Sequence, residues 1–427
     1  MDKKLLKEII LEQKKVQESL DLGIKRTELD SIKEYIHLPH IVVISGLRRV
    51  GKSTLLAQII NNFYKKGVYY FNFEDERLIE FEPADFNNLY ELFLEIEGEK
   101  KVFFFDEIQN APKWELFVRR MQDKGYKFFV TGSNASLLSK ELGTRLTGRT
   151  IILELYPFSF MEFLLFKGYS LAKNALSYTE ERAKLKRYFN EYLRSGGMPE
   201  YLKYKEPTLL KRTYEDILYR DIVARHEIKE VKALRELGLY FLSNIGGLFS
   251  YNNLKQMLRL GSVNTVRSYV DYLEDSFLLF AVNKFSYSLR QQFVANKKVY
   301  CIDNGLAESV AFRFSKNKGK FLENLVFIEL KRRFGEIYYY KTKNNLEVDF
   351  LIRSKNKNCM LIQVTRGLDD RRVREREVDS LLIAMQELKI DNAFLLTEDN
   401  QEDIKTKGKE IKVKPIYRWL LEDAGGN

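Results

Sequence analysis

Residues 46–54 read Gly-Leu-Arg-Arg-Val-Gly-Lys-Ser-Thr, two glycines separated by four residues and followed by a lysine and a hydroxyl. This G-x-x-x-x-G-K-S spacing is that of a phosphate-binding loop. Gly46 and Gly51 let the backbone of Leu47, Arg48, Arg49 and Val50 close around phosphate oxygens. Lys52 is then expected to reach the β- and γ-phosphates, Ser53 to coordinate Mg²⁺, and Thr54 to complete the cradle at a helix N-terminus. Hydrolysis needs a second group that holds the metal and aims a water, and Asp106-Glu107 supplies adjacent carboxylates. Asp106 is expected to hold Mg²⁺, directly or through water, and Glu107 to polarise the attacking water; a merely solvated acidic strand end is the alternative. Thr131, Ser133 and Asn134 offer hydrogen bonds to a γ-phosphate or to that water, although serine and asparagine also serve as turn and N-cap residues. Arg145 or Arg149 would neutralise transition-state charge, or else decorate a helix end.

These groups need elements to position them. Ile41–Ile44 is a short apolar run suited to a buried parallel strand, and Leu55–Phe63 has helical periodicity. Val102–Phe105 predicts a second strand ending at the two carboxylates, and 127–131 a third ending at Thr131. In an open α/β sheet such strand ends line the ligand crevice.

Taken in order, Gly46–Thr54, Asp106-Glu-Ile-Gln109 with Pro112 and Trp114, Thr131-Gly-Ser133, Leu146-Thr-Gly-Arg149 and Tyr156-Pro-Phe-Ser-Phe-Met-Glu-Phe163 resemble the prokaryotic AAA+-type ATPase family. That group is common in archaea and bacteria and related to the STAND class of signalling ATPases. The motifs span most of residues 35–165. The resemblance implies an α/β P-loop sheet that binds ATP with Mg²⁺, then a helical lid. Gly196-Gly-Met-Pro199 resembles the element with which such a lid approaches the adenine, making Pro199 a nucleotide contact, though a Gly-Pro pair also ends helices. The resemblance further implies that Arg149 acts on a neighbour's nucleotide, which requires a homo-oligomer.

A chain of 427 residues with 45% hydrophobic content is long enough for two or three domains. Two cysteines, Cys301 and Cys359, and three histidines leave neither a disulfide framework nor a Cys/His zinc site to expect. The first residues predict a charged amphipathic helix without a signal core, and no apolar run approaches membrane-spanning length. The expectation is a cytoplasmic protein with no membrane partner. The 31% charged residues, rich in Lys and Glu, suit a thermophile. Net charge is +11, and residues 281–427 hold 28 basic against 21 acidic side chains, +7 of that excess. The asymmetry points to an anionic partner, DNA before membrane, or to a solvated lysine-rich surface.

Residues 236–300 predict helix, helix, turn, helix and hairpin, the outline of a winged helix-turn-helix. Its third helix would face DNA with Ser262, Asn264, Thr265, Arg267 and Ser268, and its wing would touch phosphates with Lys284, Arg290 and Lys297. In the resembled family such domains also pack on their own ATPase core. From Lys320 a helix bearing Glu323, strands over 337–341, 346–352 and 360–365, and a basic helix from Asp370 resemble the restriction-endonuclease-like fold. There, acids including Asp349 would bind Mg²⁺, but the E-x-K element reads Gln363-Val364-Thr365. One carboxylate and the cation are missing together, so the domain is expected to bind and not to cut. Arg371, Arg372, Arg374 and Arg376 would hold phosphates, or pair with Glu375, Glu377 and Asp379.

The expected layout is an N-terminal helix over 1–35, the P-loop core over 36–156, a lid over 157–231, a winged helix over 232–300 and the nuclease-like domain over 301–427. The expected function is an ATPase coupled to DNA. A slow switch that scaffolds a protein partner and an ATP-dependent nuclease are the alternatives.

Overall fold

The apolar run at Ile41 lies inside a five-stranded parallel sheet in the computed structural model, which describes residues 1–65, 67–133, 146, 148–171, 175–311, 318–353, 359–406 and 408–422. The chain divides into two units, Met1–Tyr156 with Asp275–Phe277, and Pro157–Glu274 with Leu278–Asn427. In the first unit, β1 (Ile41–Gly46), β2 (Tyr69–Asn72), β3 (Val102–Asp106), β4 (Lys127–Gly132) and β5 (Thr150–Leu155) lie in the order β2-β3-β4-β1-β5. Every residue of β1 is buried, as a parallel strand covered on both faces requires. The same logic explains the phenylalanine runs of β3 and β4. Successive side chains point to opposite faces, so Phe103 stacks on Phe128 at 4.8 Å on one face and Phe104 on Phe129 at 4.7 Å on the other.

Among the described residues, five helices accompany this sheet: α1 (Lys3–Glu18), α2 (Glu28–Tyr35), α3 (Lys52–Ile59), α4 (Asp85–Glu97) and α5 (Trp114–Gln122). The amphipathic α1 buries Leu6, Ile9 and Ile10 in the same core as Phe71, Phe103 and Trp114. It also serves the edge strand: the Gln13 amide accepts from Asn72 N at 2.8 Å and donates to Asn72 O at 2.9 Å, pairing backbone groups that β2 would leave open. The helix expected to Phe63 is α-helical to Ile59 and continues as a π-helical turn, Ile60–Tyr64.

The second unit opens with helices α6 (Phe160–Phe166), α7 (Thr179–Ser195), α8 (Pro199–Tyr204) and α9 (Pro207–Asp216). Ser159 and Glu162 form a reciprocal capping box at the start of α6, and Pro199 and Pro207 stand at the first turns where a missing N–H costs nothing. Then come α10 (Val231–Ser243), β6 (Leu248–Phe249), α11 (Tyr251–Met257), α12 (Val263–Asp275), β7 (Leu279–Val282), α13 (Leu289–Val294) and β8 (Lys297–Cys301). The three short strands form an antiparallel sheet ordered β6-β8-β7.

After α14 (Asn304–Val310), helix α15 (Lys318–Arg333) leads into β9 (Glu336–Lys341), β10 (Glu347–Arg353) and β11 (Met360–Val364); α16 (Arg371–Leu388) leads into β12 (Asn392–Thr397), β13 (Glu402–Thr406), β14 (Lys409–Pro415) and α17 (Ile416–Trp419). Their mixed six-stranded sheet runs β13-β14-β12-β11-β10-β9. Gly197 and Gly305 are sites of close backbone approach: a Cβ on Gly197 would lie 2.3 Å from Phe158 O, and one on Gly305 2.0 Å from Ser195 O. The Asp303 carboxylate fastens this junction by accepting from Gly197 N at 2.6 Å and Leu306 N at 2.9 Å. Burial pushes Asp303 up to about 6 against the pull of those backbone N–H groups.

Cys301 and Cys359 are both free thiols. No helix among the described residues is long and apolar enough to cross a membrane.

Candidate functional site

The loop after β1 has the backbone its glycines predict. Gly46, at φ 158°, passes so near β5 that a Cβ would fall 2.3 Å from Leu155 O. Gly51 turns into α3 at φ 100°, and Arg49 is left-handed at φ 64°. Leu47 and Val50 are fully buried, so only their backbone groups serve the loop. The Lys52 ammonium, 4% exposed, donates to Gly46 O at 3.2 Å and Leu47 O at 3.3 Å and pairs with Glu107 Oε1 at 3.4 Å. Those acceptors hold a cation against the loop, contacts that phosphate oxygens can replace.

Asp106 and Glu107 stand at the carboxyl end of β3, beside the carboxyl ends of β1 and β4. Asp106 is fully buried; burial and then the Glu107 charge raise its carboxyl, opposed by hydrogen bonds from Ser53 and Thr131. Thr131 Oγ1 donates to Asp106 and accepts from Glu107 N at 2.9 Å, bridging both acids. Burial also pushes Glu107 upward, yet Lys52, the Gln109 amide and Arg48 outweigh it and hold the carboxyl below its ordinary range. Gln109 Nε2 donates to Glu107 Oε2 at 2.5 Å, and Arg48 pairs with Glu74 at 2.8 Å.

The adjoining Ser53 hydroxyl and Asp106 carboxylate are hard oxygen donors that fit Mg²⁺, an ion that takes one or two protein oxygens and keeps phosphate and water for the rest. No group of three or more His, Cys, Asp or Glu suited to a metal occurs among the described residues. Ser133 is buried, its hydroxyl without a partner among the described residues, a donor at the end of β4. Thr54 is half-buried beside Ser53 on α3. Asn134 and Arg145 lie outside the described residues.

Arg149 is not with these groups. Its carbonyl accepts from Ile41 N at the opposite end of β1 from Gly46, and six residues of strand at about 3.3 Å each separate the two ends. The side chain pairs with Asp123. An arginine finger within its own chain is thereby corrected by the parallel register of β1 and β5.

A residue that sequence reasoning missed does reach the loop. The guanidinium of Arg26, 2% exposed, donates to Val50 O at 3.0 Å and to Tyr156 O at 2.7 Å, tying the loop to the end of β5. No spacing signals this arginine ahead of α2. Pro199 opens α8 in the second unit, and the glycines before it are accounted for by the close approach to Phe158 and Asp303.

The second unit holds an acidic cluster. Glu323 on α15 and Asp349 and Glu347 on β10 surround the Lys298 ammonium at 2.9, 3.0 and 2.8 Å. Lys298, on β8, is 2% exposed. Burial lowers its affinity for a proton, but Tyr300 and the three acids more than offset this and hold it well above the usual lysine range. Burial and then Asp349 raise Glu323 to about 7. Gln363 Oε1 accepts from Asp349 N at 3.0 Å and its Nε2 donates to Glu377 Oε2 at 2.6 Å. The acids here do have a cation beside them, Lys298 from a distant strand, and Glu377 on α16 places a further carboxylate next to Gln363. Spacing around Gln363 could not reveal either. Thr365 joins β12 through its backbone, donating to Leu396 O at 3.0 Å, and not the cluster.

At the start of α12, Ser262, Asn264 and Arg267 are exposed and Thr265 and Ser268 half-buried. Ser262 Oγ accepts from Asn264 N at 3.1 Å, and Arg267 lies over the Tyr251 ring at 5.1 Å. On α16, Arg371 pairs with Glu375 at 2.7 Å, Arg374 grips both Glu402 oxygens at 2.7 Å, and Arg376 pairs with Glu377. Arg372 is exposed without an ion pair among the described residues.

The AAA domain model matches residues 39–164, and models of two domains of unknown function (DUF8612 and DUF4143) match 186–317 and 318–419. An uncharacterized protein of Methanocaldococcus jannaschii is 38% identical across 99% of this chain and 96% of its own length. An uncharacterized protein of Haemophilus influenzae is 31% identical across 92% of this chain and 97% of its own. Among solved structures, the Thermotoga maritima RuvB Holliday junction branch migration motor shares 20% identity at a TM-score of 0.29, covering 64% of this chain and 92% of that one. AMPPCP-bound DnaA from Aquifex aeolicus shares 15% at a TM-score of 0.26, covering 60% and 90%.

Proposed function

The chain belongs to the same family as this Methanocaldococcus jannaschii protein, and from its AAA domain we propose an Mg²⁺-dependent ATPase whose nucleotide state governs DNA binding by the second unit. The observation that carries the ATPase reading is the meeting of Lys52, Ser53, Asp106, Glu107 and Thr131 at the carboxyl ends of β1, β3 and β4. Lys52 exchanges loop carbonyls for β- and γ-phosphate oxygens, and Ser53 with Asp106 holds Mg²⁺, which neutralises phosphate charge when bound. Glu107, kept ionised by Lys52, Gln109 and Arg48, orients the attacking water; Ser133 bonds that water or the γ-phosphate. In this reading the lid over 157–231 follows the nucleotide through Pro199. Arg149, remote from its own loop, serves a neighbouring copy, so turnover needs a homo-oligomer.

For DNA, support comes from the order α10-β6-α11-α12-β7-α13-β8 and the sheet β6-β8-β7, an order compatible with a winged helix that carries a helical insertion in its hairpin. Ser262, Asn264, Thr265 and Arg267 then read the major groove from the start of α12. The order α15-β9-β10-β11-α16-β12 supports a nuclease-like fold, and with Gln363 and Thr365 at the E-x-K positions it is read as one that binds without cutting. A second reading is a switch that scaffolds a protein partner, favoured by the internal ion pairs of Arg371, Arg374 and Arg376. ATP hydrolysis with and without duplex and single-stranded DNA, over a salt series, separates the two. Stimulation that fades with salt supports coupling to DNA; turnover indifferent to DNA refutes it and supports the scaffold.

A further inference from the structure

The connection between β7 and β8 exposes side chains that a folded chain ordinarily hides. Tyr287 is 82% exposed, Leu289 66%, Phe293 68% and Val294 77%. They belong to, or directly precede, the short helix α13, where Leu289 and Phe293 are four residues apart and share a face. This tip is held in shape. Ser288 Oγ caps α13 by accepting from Gln291 N, Ser286 Oγ donates to Gln291 Oε1 at 2.7 Å, Gln292 Nε2 donates to Ser286 O at 2.6 Å, and Tyr339 OH donates to Asn296 O at 2.5 Å.

A contiguous apolar surface in water marks a place where something docks. Its charge states what kind. From Val282 to Ile302 the chain has Lys284, Arg290, Lys297 and Lys298 and no acidic residue. Lys298 is committed to the acidic cluster, but the side chains of Lys284 and Arg290 have no ion pair among the described residues. The base of this connection also adjoins the exposed side of α12, because Asp271 lies in the field of both Lys297 and Arg267.

We infer that the tip is a wedge for unstacked nucleic-acid bases: Tyr287 and Phe293 stack on bases at an open or distorted step while Lys284 and Arg290 hold the flanking phosphates. Proteins that deform DNA insert apolar side chains between base steps, and single-strand binders stack bases on aromatic rings beside basic residues. A protein partner would be served by the apolar tip alone and gives no reason for a rim of one sign. The inference rests on the DNA reading above and narrows its substrate class to duplex with an opened end, a fork or a junction.

The test uses the full chain, a labelled fork and a duplex of equal length, read by fluorescence anisotropy over a salt series. The fork is expected to bind about tenfold more tightly than the duplex. In Tyr287→Ala/Phe293→Ala that preference falls to about twofold or less, while duplex affinity and its salt slope stay unchanged; Phe293→Trp, which keeps a stacking face, retains it. These side chains are exposed, so the variants keep the fold, which thermal melting checks. An unchanged fork preference in the double variant overturns the wedge and leaves the DNA reading standing. Absence of salt-sensitive binding to any DNA overturns both. Self-association by wild type that the double variant loses, with fork preference unaltered, overturns the wedge in favour of contact between copies.

Discussion

Lys52→Ala removes the one ammonium at the loop, whose present acceptors are Gly46 O, Leu47 O and Glu107. Losing a charged hydrogen bond of this kind weakens ATP binding by about 10- to 100-fold, read by titration with a fluorescent nucleotide. Glu107→Gln keeps the shape and the Gln109 contact but loses the charge, so binding is expected to hold while turnover falls by about 100-fold or more. Retained turnover would move the water-orienting role elsewhere. Both residues were legible because the P-loop spacing and the acid pair at an apolar strand end are local patterns. Arg26 and Lys298 were not, since each acts on residues far along the chain and neither sits in a repeating pattern. Arg26→Ala frees the Val50 and Tyr156 carbonyls, and about a tenfold rise in the ATP dissociation constant is expected. Arg26→Lys should not restore affinity, because a lysine cannot reproduce a planar donor pair aimed at two carbonyls; full rescue would show that charge alone mattered.

Among elements, the strands with uninterrupted apolar runs declared themselves: β1, β3 and β4 lie where Ile41–Ile44, Val102–Phe105 and 127–131 predicted. The edge strands were quieter. β5 (Thr150–Leu155) alternates half-buried and exposed residues over 151–154 and buries only Leu155, and β2 depends for part of its pairing on the Gln13 side chain, which no strand pattern contains. In the second unit the hairpin flanking α13 was visible, whereas two-residue β6 falls below what periodicity can show. The junction of Gly197, Gly305 and Asp303 shows how tertiary packing decides an element's end. Gly197→Ala places a methyl 2.3 Å from Phe158 O and should destabilise the second unit by about 2 kcal/mol or more, measured by urea unfolding. Asp303 adds a pH signature. Its carboxyl is raised to about 6 from 3.8, so between those values the folded chain keeps a proton that the unfolded chain has released. Its contribution to stability therefore falls as pH rises from about 4 to about 6 and is level above that window. The stability difference between wild type and Asp303→Asn should shrink over that range, and a flat difference would remove Asp303 as its source.

For the molecule as a whole, the position of Arg149 at the far end of β1 sets a test of assembly. Lys52→Ala and Arg149→Ala chains are each expected to be inactive, yet mixing them should restore partial turnover, because one copy supplies an intact loop and another an intact arginine. No recovery on mixing would end the trans role. The Lys298 cluster bears on how this protein can be divided. One matched segment begins at residue 318, past the strand that carries the ammonium and before Glu323, Glu347 and Asp349, which depend on it. A fragment cut there would inherit three crowded negative charges and leave their neutraliser behind. It should lose solubility or order as pH rises toward neutrality, while a fragment that starts ahead of β8 should not. What resembles a boundary in a linear map of similarity is, in three dimensions, the middle of a shared charge balance.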